Sequence, residues 1–237
     1  LAAMRHFAKT LREEGFQVHY SALGDDDNTH SLVDEAERIA KQYGCDEIRV
    51  ARPGEWRLWE TMRQRDDAAI PWRVLEDERF FTTPEAFSQW AKGRKQLRLE
   101  YFYREQRKRT GLLMEGDEPA GGKWNFDHDN RQPISAELDF PDLPQHRQDA
   151  LTKAALADAE HHFSDHMGSL ANFNLPVTRR QALVDLRHFI QHGLAQFGRY
   201  QDAISDSAPF LYHSRLSAAM NIGLLSPQEV CEAAEQC

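Results

Sequence analysis

The chain has 237 residues, 41% hydrophobic and 28% charged, with a formal net charge of −9. That length holds one large domain or two of ordinary size, and the composition excludes disordered and fibrous classes. No apolar run approaches the roughly 20 residues of a membrane span, so no membrane role is expected.

Three cysteines, Cys45, Cys231 and Cys237, form no short-spaced pair. A disulfide framework or a cysteine zinc site does not fit that count, and a reducing cytoplasm does. The first residues carry Arg5, His6 and Lys9 and are unlike a signal peptide. With this acidic balance, a nucleic-acid partner has to be met by a local basic face.

Met4, Phe7, Ala8 and Leu11 share one helical face, so a helix is under way from the start and stops at Gly15. Phe16, Val18 and Tyr20 alternate as a strand. Leu32, Val33, Ala36, Ile39, Ala40 and Tyr43 return to helical spacing and end at Gly44. Residues 48–51 read as a second strand, and Pro53-Gly54 turns into a helix with Trp56, Trp59 and Met62. Residues 72–75 read as a third strand, before Thr83-Pro84-Glu85 opens a helix bearing Phe87 and Trp90. Such alternation implies a parallel sheet with helical crossovers. An opening helix in this array calls for a strand before it. Cys237 likewise falls inside a helix opened by Ser226-Pro227-Gln228-Glu229, so the chain reads as part of a longer protein.

Residues 94–109 read as one basic helix, and residues 111–145 are rich in Gly, Pro, Asp and Asn, as a long connection is. Thr178-Arg179-Arg180-Gln181 is a capping box ahead of Leu183, Leu186, Phe189, Ile190, Gly193, Leu194 and Phe197 on one face. The expected organisation is an α/β domain over 1–110, a connection over 111–145 and helices over 146–237.

Several clusters invite chemistry. The basic segment Lys92–Arg109 interleaves Tyr101, Phe102 and Tyr103 with eight cations. It fits phosphate contact or a solvated helix whose arginines pair with acids. His162 and His166 are one turn apart, as a metal clamp needs, but no third ligand is marked and a surface pair fits as well. His188 and His192 have the same spacing. Asp25-Asp26-Asp27-Asn28 lacks the Gly and terminal Glu of a calcium loop and reads as a solvated turn. Trp56, Trp59, Trp72 and Trp90 read as core, and Trp124 as the pin of a Gly-rich loop. No local spacing marks a catalytic nucleophile, and the Gly-rich stretch 116–122 is no P-loop.

The most informative stretch follows Tyr200. A polar loop leads to His213-Ser214-Arg215-Leu216-Ser217 and good helix formers. Two hydroxyls, a guanidinium and an imidazole beside a helix start suit a phosphate, and an ordinary Ser-capped helix is the plain alternative.

Tyr200, the His213–Ser217 run and Gly223-Leu224-Leu225-Ser226-Pro227 resemble the flavin-phosphate segment of the photolyase/cryptochrome family. His213 stands where most members have Thr. The stretches MRHFAKTLREEGFQVHY, PGEWR, residues 94–127 and FLYHSRLSAAMNIGLLSP resemble its prokaryotic photolyase-related branch, which holds iron–sulfur bacterial cryptochromes and (6-4) photolyases.

The resemblance implies a Rossmann-like antenna domain, incomplete here, followed by the first helices of an FAD-binding domain. It implies FAD, held through Tyr200, His213, Ser214, Arg215, Leu216 and Ser217, and a ribityllumazine antenna. It also implies a [4Fe-4S] cluster whose ligands lie outside this sequence. The implied partner is UV-damaged DNA, met by a monomer, and the implied activity is light-driven lesion repair. A blue-light receptor of cryptochrome type is the alternative. This stretch by itself is expected to be inactive, because the flavin pocket is unfinished.

Overall fold

The alternating signals of the first third fold into a β-α-β unit in the computed structural model, which describes residues 1–65, 69–135 and 137–237. The chain groups into two compact units, one of Phe7–Glu78 and one of Leu1–His6 with Arg79–Cys237.

Helix α1 (Ala2–Glu13) has its residues 7–13 in the first unit, which continues with α2 (Leu32–Gln42), strand β1 (Ile48–Ala51), α3 (Trp56–Arg63) and strand β2 (Trp72–Leu75). Ser31 caps α2 by accepting from the Asp34 N–H at 3.3 Å. Val33 and Ala40 on its inner face are buried. β1 and β2 pair in parallel, Ile48 opposite Trp72 and Ala51 opposite Leu75. A parallel pair needs a crossover, and α3 lies within it.

Two sequence expectations differ here. The alternation of Phe16, Val18 and Tyr20 forms no strand: the Arg12 guanidinium takes the Val18 carbonyl at 3.1 Å, and no ladder partner lies among the described residues. A period of two cannot make a strand without a neighbour for its N–H and C=O groups. Trp56, expected in the core, is 65% exposed at the first turn of α3. Trp59, one turn on, is half-buried with the Arg52 guanidinium 4.7 Å from its ring centre.

The second unit opens with α4 (Pro84–Ala91), capped by Thr83, and α5 (Leu99–Thr110). The basic run begins before its helix does. Gly93 at φ +75° turns the chain, and α5 starts only at Leu99. Phe87, Trp90 and Phe102 pack α4 on α5, with ring centres 5.0–5.6 Å apart. Gly111 at φ +76° ends α5 in the left-handed conformation that favours glycine. A hairpin of β3 (Met114–Glu115) and β4 (Glu118–Pro119) follows.

From residue 146 on, every regular element described is helical: α6 (Ala150–His162), α7 (Arg179–His188), α8 (Leu194–Tyr200), α9 (Ser217–Asn221) and α10 (Pro227–Glu235). Residues 189–193 join α7 to α8 as a wider π-type turn, in which the Leu194 N–H reaches back five residues to the Phe189 carbonyl. The connection lies along this half. The Gln132 N–H donates to the Arg199 carbonyl at 3.0 Å, the Asp202 N–H to the Asn130 carbonyl at 3.0 Å, and the Tyr212 hydroxyl to the Asp139 carbonyl at 2.8 Å. Ala182, Leu186, Phe189, Leu216, Ala219 and Leu225 form the buried centre. No described helix is long and apolar enough to cross a membrane.

Both expected capping boxes form, at Thr178/Gln181 and at Ser226/Glu229. Glu229 also accepts from both terminal nitrogens of Arg179, at 3.1 and 2.6 Å. That guanidinium holds the Glu229 carboxyl below its ordinary 4.5, against a smaller opposing effect of burial. A depressed folded pKa contributes stability above the unfolded value and loses it as pH falls through the folded one. Amide protection in α10 is therefore expected to fall on acidification below about pH 4.5. Arg179→Met should flatten that dependence in hydrogen exchange, and a wild-type profile in the variant would contradict the role given to this pair.

Candidate functional site

Tyr200 ends α8 with its ring buried against Tyr212, the centres 5.5 Å apart. Tyr212 also meets Phe140 at 5.2 Å. Burial, with Tyr200 and Asp139 adding to it, pushes the Tyr212 phenol above its ordinary value, so the hydroxyl stays a donor to the Asp139 carbonyl. The chain then runs through His213 to Ser217 over the core.

Leu216 is 1% exposed and sits in the buried centre. Its neighbours diverge from it: Ser214 and Arg215 are half-buried, and His213 and Ser217 are exposed. Arg215 makes this possible with a left-handed backbone, φ +55°. That conformation costs a non-glycine residue about 1 kcal/mol or more and persists where surrounding packing fixes it. Its guanidinium lies 4.2 Å from the centre of the Phe210 ring. The Ser214 hydroxyl accepts from the Leu216 N–H at 3.4 Å.

A narrow cleft of about 20 Å³ opens beside this segment. His213, Ser214 and Arg215 line one side, and Asp185, His188 and Gly193 line the other. Of the six residues singled out from the sequence, these three meet at the cleft. Tyr200 and Leu216 support it from the core, and Ser217 is the first residue of the short α9. Ser217 is not a cap, because Leu216 occupies that position without a side-chain bond.

On the cleft's far wall, sequence reasoning singled out His188 only as half of the His188/His192 pair and missed Asp185. Asp185 pairs with His146 at 2.7 Å. Burial raises the Asp185 carboxyl, while the charges of His146 and then Arg215 oppose the rise. His188 has a buried Nε2 with no hydrogen-bond partner. Burial, then His192, lowers its pKa and keeps the ring neutral at ordinary pH. A signal was present, since Asp185 stands at helical spacing between Ala182 and Phe189, on the apolar face of α7.

The remaining candidates resolve differently. Arg104 pairs with Glu100 at 2.8 Å, Arg94 with Glu105 at 3.1 Å, and Arg109 donates to the Phe81 carbonyl. These arginines of the basic segment are engaged in the fold. Asp25 accepts from the Ala22 N–H at 2.7 Å and Asp27 pairs with Arg38 at 2.6 Å, as a closed turn does. Among the described residues no group of three His, Cys, Asp or Glu side chains is placed to hold a metal ion.

Gly193 brings the π-type turn against the segment that carries the site. A Cβ there would stand 2.9 Å from Phe189 Cδ2 and 3.2 Å from the Tyr212 carbonyl oxygen. Backbone cannot retreat as a side-chain tip can, so Gly193→Ala is expected to destabilise by about 1–3 kcal/mol. The urea midpoint measures this, and an unchanged midpoint would refute the close approach.

With this geometry in place, similarity to known proteins becomes informative. Residues 1–175 match the family described as deoxyribodipyrimidine photo-lyase-related protein. The chain is 44% identical over 236 residues to a (6-4) photolyase of Agrobacterium fabrum, covering 99% of this chain and 46% of that protein. It is 28% identical over 142 residues to an uncharacterised protein of Acanthamoeba polyphaga mimivirus, covering 58% of this chain and 70% of that one. The chain thus spans under half the length of its Agrobacterium relative. It belongs to the deoxyribodipyrimidine photo-lyase-related family.

Proposed function

We propose that this chain is part of a flavin-dependent DNA photolyase of (6-4) type. In this reading its α/β part belongs to a Rossmann-like antenna domain and its helices open the FAD domain. Family membership and the identity with the Agrobacterium photolyase support the reading. The carrying observation is local: Leu216 is anchored in the core while His213, Ser214 and Arg215 turn to an open cleft and Ser217 to solvent.

That donor set suits a diphosphate. Hydroxyls and an imidazole offer hydrogen bonds, and the guanidinium offers a charge-assisted pair. Asp185 across the cleft repels an anion, so the phosphates would sit on the His213–Ser217 side. When bound, the flavin supplies the light-driven electron. This chain's contribution is to hold and orient it. UV-damaged DNA is the proposed substrate of the whole protein. A lumazine antenna and an iron–sulfur cluster belong to the same reading, with no residue of this chain assigned to either.

The test uses the full-length parent. It should purify with bound flavin, absorbing blue light. Ser214→Ala with Arg215→Gln should weaken FAD retention roughly tenfold or more, since hydrogen bonds to charged groups contribute about 1.5–3 kcal/mol each. A flavin-free protein that reconstitution cannot fill, or a double variant with full flavin content, would overturn the assignment. Repair of lesion-bearing oligonucleotides under illumination separates an enzyme from a receptor.

A further inference from the structure

A second hollow lies away from the His213–Ser217 cleft. It is lined by Tyr103 and Arg107 of α5, Trp124 and Phe126 of the connection, and Gly198 and Gln201 at the end of α8. It has a volume of about 380 Å³ and opens to solvent. That lies within the roughly 300–1,000 Å³ of small-molecule sites.

Cations stand against its aromatic rings. Arg104 and Arg107 lie 5.4 and 5.3 Å from the centre of the Trp124 ring, and Lys108 lies 5.5 Å from it. Lys123 lies 5.8 Å from the Phe126 ring. Arg107 lines the hollow, and Arg104, Lys108 and Lys123 stand against the rings that line it. Two carboxylates line it, Glu100 and Asp127, and Glu100 is taken by Arg104.

Arg107 is the most telling member. It is 94% buried, yet no carboxylate among the described residues pairs with it. Its terminal nitrogens donate to the carbonyls of Leu113 and Trp124 and, at 3.4 Å, to the Tyr103 hydroxyl, while Nε has no partner. Carbonyl dipoles hold the guanidinium in place without cancelling its charge, and a buried uncancelled charge favours an anion nearby. Around it stand rings able to stack on a flat heterocycle. The Gln201 amide has no hydrogen-bond partner among the described residues and can meet a heterocycle's edge, both as donor and as acceptor.

We propose that this hollow is a nucleotide site, taking a 5′-phosphorylated flat heterocycle. The phosphate lies toward Arg107, Lys108 and Lys123, and the base lies between Tyr103 and Phe126. The site is independent of the flavin reading. A free nucleotide and one residue of a DNA strand share this chemistry.

Thymidine 5′-monophosphate, thymidine and inorganic phosphate are titrated into the protein by calorimetry at low salt. The monophosphate is expected to saturate a single site, with thymidine and phosphate each at least about tenfold weaker. Lys108→Glu with Lys123→Glu changes two exposed side chains and should leave the fold intact. It should weaken the monophosphate about tenfold, as should about 0.5 M salt, and leave thymidine unaffected. Ser214→Ala with Arg215→Gln should change nothing here, which keeps this outcome separate from the fate of the flavin assignment. A short oligothymidylate that binds more tightly than the monophosphate, with the same sensitivity to charge reversal, assigns the site to a strand. Equal affinity assigns it to the free nucleotide. No saturable binding of either, or an affinity indifferent to the reversal, overturns the proposal.

Discussion

The burial of Leu216 is the constraint on which the functional half depends. A leucine removed from water contributes about 1.5–3 kcal/mol, enough to hold one neighbouring residue in a strained backbone conformation. Leu216 and Leu225 are each 1% exposed in the same apolar centre, with Ala182, Leu186, Phe189 and Ala219 around them. Once that side chain is fixed, the adjacent residues have little choice of direction. Arg215 accepts a left-handed φ, and Ser214 and Ser217 are carried outward. The polar face of the site is therefore a by-product of apolar packing.

The opposite wall obeys a different economy. Asp185 pairs closely with His146, burial raises the Asp185 carboxyl, and the neutral His188 stands beside it. Such a wall accepts neutral polar groups more readily than a second anion. The cleft is thus polarised across its width, cationic at Arg215 and acidic at Asp185. In the proposed flavin reading, that polarity directs the anionic end of a ligand toward Arg215.

Much of the architecture was legible because it is written in local chemistry. The strands at 48–51 and 72–75 and the caps at Thr83, Thr178 and Ser226 need only a few neighbouring residues to specify them. The failures depended on distant partners. Phe16, Val18 and Tyr20 carry the right alternation and lack a strand beside them. Trp56 has the right spacing and sits on the first turn of its helix with its ring in solvent. Within the site, His213, Ser214 and Arg215 were readable from one contiguous run. Asp185 and His146 are 39 residues apart, and only folding makes them neighbours. Likewise the cation cluster at Trp124 joins a helix to a connection, and neither stretch announces the other.

The π-type turn at 189–193 carries one further consequence. Each residue of an α-helix advances the face by about 100°. The turn admits one residue more than an α-turn would, so it sets the rotational phase of everything in α8. Phe197 packs at 5.7 Å on Phe189, and Tyr200 meets Tyr212, only in that phase. Shortening the stretch by one residue would leave the sequence of α8 intact and swing both rings off their partners. In this region chain length is a more sensitive variable than side-chain identity.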